Sequence, residues 1–199
     1  MRIIKLIGYI AIGCFVLLGI SMLLLQYWLT GNLISYSYCD LIENYDRNSE
    51  KIYAVKTYVN SVTSPDVKVT IEFDGNNELG IFHFGEGDSY ESNWNVEIDS
   101  KKADSLLHQL GWTKSTLVSI KEKLDDANCI SIQNGEPFQI GYQRNGMGKY
   151  FYNLFSKELT DSQKAVYNDS CTFILYKDKV ALEWGGGAIG AQCFPDAYN

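Results

Sequence analysis

Two glycine-rich stretches, an acidic loop and two histidines are the places where residue type and spacing invite chemistry. Gly185-Gly186-Gly187-Ala188-Ile189-Gly190 contains the spacing G-x-G-x-x-G directly after an apolar run. That spacing holds a pyrophosphate only where a helix opens on it and a second strand and an acidic residue follow. Nine residues follow here, Pro195 among them, so the stretch reads as a tight turn whose glycines permit positive φ. Gly146-Met147-Gly148-Lys149 fails as a phosphate loop, because Gln143 stands where the first glycine belongs and Tyr150 where Ser or Thr belongs. Asp74-Gly75-Asn76-Asn77-Glu78 opens like a calcium loop. Leu79 then occupies the glycine position and Gly85 the closing glutamate, so a hairpin turn is expected there instead. No cofactor and no metal site is expected.

The histidines offer little more. His83 lies between Phe82 and Phe84, and His108 beside Leu107. Neighbours in a strand point to opposite faces, so His83 is expected to turn away from both phenylalanines. It is then placed either as a surface residue or as the base of a dyad with a thiol or an aspartate. Neither G-x-S-x-G nor H-E-x-x-H occurs.

Charge is the feature above background. Between Lys68 and Lys101 there is no Lys or Arg, while Glu72, Asp74, Glu78, Glu86, Asp88, Glu91, Glu97 and Asp99 all fall there, interleaved with Tyr90 and Trp94. On a hairpin plus a third strand these acids are expected to gather on one exposed face. Glu86, Asp88 and Glu91, with Tyr90 and Trp94, are the candidate binding surface for a basic partner, since such a field speeds association with positive charge. A solvated acidic face that merely maintains solubility is the plainer reading. Residues 31–199 carry fifteen basic against 24 acidic side chains, a net charge of −9. Nucleic-acid binding needs clustered Lys and Arg, so no nucleic-acid partner is expected.

Four cysteines lie beyond residue 30: Cys39, Cys129, Cys171 and Cys193. An even number in an oxidising compartment is consistent with disulfides, and four allow three connectivities. Cys171 with Cys193 is the preferred pair, brought together by the glycine-rich turn, which leaves Cys39 with Cys129. Free buried thiols are the alternative. Asn168-Asp169-Ser170 has the form of a glycosylation sequon, which matters only in a host that glycosylates.

The elements that must position these residues follow from periodicity. Leu6 to Leu25 contains no charged residue. A run of about twenty apolar residues matches a hydrocarbon core of roughly 30 Å. Tyr27 and Trp28 suit an interface at its far end, and Cys14 is a small apolar filler within it. Arg2 and Lys5 precede the span, while Asp40, Glu43 and Asp46 follow it. The positive-inside rule then predicts a single-pass signal-anchor over 1–30 in the plasma (inner) membrane, with a cytoplasmic N-terminus and an extracytoplasmic, periplasmic-type C-terminal domain. A cleaved signal peptide would have a shorter apolar region and a small-residue cleavage site.

The spacing predicts helices over 33–46 and 50–62, which form a membrane-proximal segment at 31–65. The domain at 66–199 begins with a strand of alternating Val67, Val69, Ile71 and Phe73, returning through Leu79, Ile81, Phe82 and Phe84. A polar loop is expected at 85–93 and a third strand at 94–98. Helices are expected around Leu106 and Leu107, closed by Gly111, and around Leu117, Ile120 and Leu124, opened by Thr113. Further hairpins follow at 130–142 and 171–184, with an aromatic strand at 150–155. The expected fold class is α+β, one domain of mainly antiparallel hairpins with a few helices. The expected function is a membrane-anchored extracytoplasmic binding module, of inhibitor or immunity type, that captures a basic partner. The alternative is a small extracytoplasmic hydrolytic enzyme using His83 or a thiol. The balance leans away from an enzyme.

Overall fold

In the computed structural model, residues 13, 16–25, 35–87, 89–186 and 189–195 are described. Residues 16–25 of the expected anchor are helical and exposed throughout. The rest of the expectation for Leu6–Leu25 falls mainly outside the described residues. Among the described residues no helix is long and apolar enough to cross a membrane.

Helix α1 runs over Tyr38–Val62. Its start is fixed by a capping box: Ser37 Oγ accepts from Asp40 N at 3.1 Å, and Asp40 Oδ2 accepts from Ser37 N at 2.7 Å. Two helices were expected from the sequence, and the structure joins them across a kink at Asn48 (φ −124°, ψ 15°). The polar run Asp46 to Lys51 interrupts the hydrophobicity, yet the buried stripe Leu41, Tyr45, Asn48, Ile52, Val55, Val59 continues through it. Asn48 can occupy that stripe because its Nδ2 donates to Asn44 Oδ1 at 3.0 Å. Asn44 Nδ2 donates in turn to Tyr152 Oη at 3.0 Å. Leu41, Ile52, Val55 and Val59 enter the same core as the strands.

The strands are β1 (Val67–Asp74), β2 (Glu78–Glu86), β3 (Ser89–Glu97), β4 (Ser131–Gln133), β5 (Phe138–Asn145), β6 (Gly148–Leu154), β7 (Phe173–Lys177) and β8 (Val180–Gly185). They form one sheet in the order β3-β2-β1-β4-β5-β6-β8-β7. Every pairing is antiparallel. The fold is thus α+β with an antiparallel eight-stranded sheet. Residues 89–93, expected in a loop, belong to β3. That strand is an edge with almost every side chain in solvent, so its polar sequence carries no alternating signal. Strand β4 is short, and the Asn134 side chain continues its pairing with β1. Asn134 Oδ1 accepts from Val69 N at 2.7 Å, and Asn134 Nδ2 donates to Val67 O at 2.8 Å.

Helices α2 (Lys101–Leu110) and α3 (Lys114–Asp126) begin at Ser100 and Thr113, and α2 ends on Gly111 in the left-handed region, φ 72°. With α1 they cover one face of the sheet. On that face the register aligns Phe82, Ile71, Ile132, Ile140, Tyr152 and Leu182, one residue per strand. Tyr152 Oη donates to Leu41 O at 2.9 Å beneath α1. Trp112 Nε1 donates to Val62 O at 2.9 Å, tying the α2–α3 turn to the end of α1.

The described ends of the glycine-rich stretch meet in a return turn. Gly185 and Gly186 have φ 142° and 80°, and Gly186 N donates to Gly190 O at 2.9 Å. The turn brings Cys193 to Cys171, with the sulfurs 1.94 Å apart, and Phe194 N to Cys171 O at 2.9 Å. Phe194 is buried beside Tyr150, which stacks on Trp184 with ring centroids 4.1 Å apart. The second expected pairing, Cys39 with Cys129, is corrected: both are free. Cys39 lies exposed near the start of α1, whereas Cys129 is buried in the core with its Sγ donating to Ala127 O at 3.4 Å.

Candidate functional site

Alternation along the strands puts a second set of side chains on the face that α1, α2 and α3 leave open. One register row there reads Trp94, Ile81, Glu72, Ser131, Gly141, Phe151, Glu183, Phe173, and the next reads Ser92, His83, Thr70, Gln133, Gln139, Asn153. A sheet with one face on the core and one toward water alternates in this way. This open face is unusual in burying charge. Glu72 accepts from Lys149 Nζ at 2.6 Å and from Arg144 Nε. Gly141 makes this geometry fit, since a Cβ there would meet Ser131 Oγ at 2.0 Å and Lys149 Cδ at 2.9 Å. Burial alone would raise the Glu72 pKa. The two cations outweigh it and hold the carboxyl below its ordinary range.

Beside this triad lies a cleft of about 450 Å³. Gln139, Asn153 and Glu183 form its floor, and Tyr90, Tyr167 and Phe173 its walls. Tyr90 belongs to one edge strand and Phe173 to the other. Across a flat eight-stranded sheet they would stand roughly 34 Å apart, at about 4.8 Å per strand, so the sheet curls around the cleft. Glu183 Oε2 accepts from Asn153 Nδ2 at 2.9 Å and from Gln139 Nε2 at 3.1 Å. Burial pushes the Glu183 carboxyl above its ordinary range, and the two amide donors and the more distant Lys149 charge only partly oppose this. Short helix α4 (Asp161–Val166) leads into Tyr167, whose ring meets Phe173 edge-on at 5.1 Å.

The residues expected to form one acidic surface are divided. Tyr90 and Trp94 point to the open face and are 51% and 58% exposed. Glu91 pairs with Phe84 and so lies on the helix side, where it lines a groove with Gln109 and Leu110. Glu86 is exposed at the end of β2, Asp88 lies outside the described residues, and Glu72 is withdrawn into the buried triad. The β2–β3 hairpin is therefore an acidic edge, with its aromatic side chains on one side of it.

His83 turns away from Phe82 and Phe84 as alternation requires, and reaches the open face. Its ring lies edge-on to Trp94 at 4.6 Å and to Tyr90 at 5.8 Å. Its Nε2 is sealed without a hydrogen-bond partner among the described residues, and burial lowers its pKa. Cys129 stands in the core with its thiol pKa pushed well up by burial. Asn168 and Asp169 of the sequon serve the turn before β7: Asn168 Oδ1 accepts from Leu175 N at 3.2 Å, and Asp169 Oδ1 from Phe173 N at 2.8 Å.

Sequence reasoning missed Glu183, Gln139, Asn153 and the Glu72 triad. Each is a polar residue at an alternate position of an apolar strand, and this signal names its face but not its neighbours. No protein-family model matches the chain, and no curated protein or solved structure is significantly similar to it.

Proposed function

We propose that the chain is a single-pass membrane-anchored binding module whose α+β domain lies outside the cytoplasm and captures a basic protein partner. The observation that carries the binding reading is the open sheet face. It presents aromatic side chains and oriented polar groups to solvent around a cleft. The net charge of −9 beyond residue 30, with Glu86 and Glu91 exposed on the β2–β3 hairpin, supports a positively charged partner. The apolar run from Leu6 to Leu25 supports the anchor, as do the exposed apolar side chains of helical residues 16–25. The enzymatic alternative has less support: His83 is ringed by Trp94 and Tyr90, Cys129 is buried, and Cys171 and Cys193 are joined.

The test uses the full chain in phosphatidylcholine nanodiscs and a fluorescent dodecapeptide of alternating Lys and Arg. Saturable binding is expected, weakened by salt and absent for a dodecapeptide of alternating Glu and Gln. Equal binding of both peptides, or of neither, overturns the proposal.

A further inference from the structure

We infer that the cleft floored by Gln139, Asn153 and Glu183 receives one Arg or Lys side chain of the protein partner, with Glu183 as its counter-charge. This rests on the reading above and narrows it to a site.

Glu183 is the distinctive group. The other carboxylate withdrawn into this face, Glu72, has two cations. Glu183 has none within ion-pair distance among the described residues; its partners are two neutral amides on one oxygen. Asn153 is fully buried and Gln139 also donates to Asn153 Oδ1 at 2.9 Å, so the amides hold the carboxylate in one orientation. The other oxygen, Oε1, has no hydrogen-bond partner among the described residues. It is also not among the polar atoms sealed from solvent without one, which are Thr63 Oγ1 and His83 Nε2. It therefore opens to the cleft that Glu183 lines. A half-buried carboxylate with no ion-pair partner, on which Lys149 acts only from beyond ion-pair distance, is costly, and an entering cation lowers that cost. Burial is the main cause of the raised Glu183 pKa, and the two amides and the Lys149 charge only partly oppose it. Tyr90, Tyr167 and Phe173 add ring surfaces suited to a guanidinium or ammonium group and its alkyl stem.

Lys68 also lines the cleft and opposes a cation. It is exposed, with its Nζ 3.0 Å from where a Cβ on Gly135 would stand, so it sits at the rim and can withdraw. It separates the cation reading from a neutral polyhydroxylated ligand, which would use Lys68 as a donor and lose affinity without it.

The experiment follows N-acetyl-L-arginine methylamide and its neutral citrulline isostere by saturation-transfer NMR, with the full chain in phosphatidylcholine nanodiscs. The arginine probe is expected to bind about tenfold more tightly than the citrulline probe, the scale of one charge-assisted contact. Glu183→Gln should cost the arginine probe about tenfold, and the exposed Lys68→Gln should raise its affinity. Equal affinity for the two probes, unchanged affinity in Glu183→Gln, weaker binding in Lys68→Gln, or no binding of either probe overturns the inference. Should Glu183→Gln leave the Lys–Arg dodecapeptide bound as before, the cleft inference fails and the basic-partner reading stands. Should the dodecapeptide not bind the unmodified chain, both fail.

Discussion

Lys149 Nζ stands 2.6 Å from Glu72 Oε2, and the two side chains are only 10% and 5% exposed. An ion pair this withdrawn from water is held by its completeness, since without Glu72 the buried Lys149 loses its ion-pair partner, whereas Glu72 without Lys149 keeps only the half-exposed Arg144. Glu72→Gln should therefore destabilise the domain by about 3 kcal/mol in chemical denaturation. The double variant Glu72→Met/Lys149→Met should lose less than the single one, because the one cation it leaves unpaired, Arg144, is 42% exposed and stays in reach of water.

The same carboxyl predicts a pH dependence. The folded-state pKa of Glu72 lies below its unfolded value, so its contribution is full above the ordinary carboxylate range and is lost as pH falls through the folded value. Glu183 has the opposite sign. Its folded pKa is raised, so its contribution is full below the ordinary carboxylate range and is lost as pH rises through the folded value. Glu183→Gln should thus raise the denaturation midpoint at neutral pH, with the gain shrinking on acidification. A gain that grows with acid would contradict the assignment.

Cys171 and Cys193 close a loop with a sequence separation of 22. Replacing both with serine should cost about 3 kcal/mol on loop-closure grounds, read from the denaturation midpoint. Under native conditions Cys39 should alkylate and Cys129 should not, until denaturant opens the core. Mass spectrometry of the exported chain that finds Cys171 and Cys193 alkylated without reduction would contradict the pairing.

A reporter active only outside the cytoplasm, fused after Asn199, should be active, and the chain should sediment with membranes at full length. Release of a soluble form shortened by about 25 residues would mean that the apolar segment is a cleaved signal.

The β1–β2, β4–β5 and β7–β8 hairpins, the α2–α3 pair and the Cys171–Cys193 bond were legible because each rests on local signals, among them alternation in 67–84, glycine at 111, threonine at 113, and glycines before Cys193. The kink at Asn48 was not, since a buried asparagine looks like a surface residue until Asn44 and Tyr152 are seen to satisfy it. The face carrying the cleft was half legible. Gln139, Asn153 and Glu183 each sit between apolar neighbours, which sets their side of the sheet. Their meeting depends on β6 lying between β5 and β8, a long-range order that no local pattern encodes. The acidic field between Lys68 and Lys101 misled at Glu72, whose partners Arg144 and Lys149 lie more than seventy residues away in sequence.

The association rate of the Lys–Arg dodecapeptide with the full chain in phosphatidylcholine nanodiscs, followed by stopped-flow as ionic strength rises, tests the capture of a basic partner most directly. The rate should fall steeply with salt, because at about 0.15 M the Debye length is already near 8 Å. The pair Glu86→Gln/Glu91→Gln on the β2–β3 hairpin should slow it about threefold with little effect on stability. The pair Glu122→Gln/Asp126→Asn on α3 should leave it unchanged. A rate indifferent to salt, or equal slowing by the two pairs, would contradict the account.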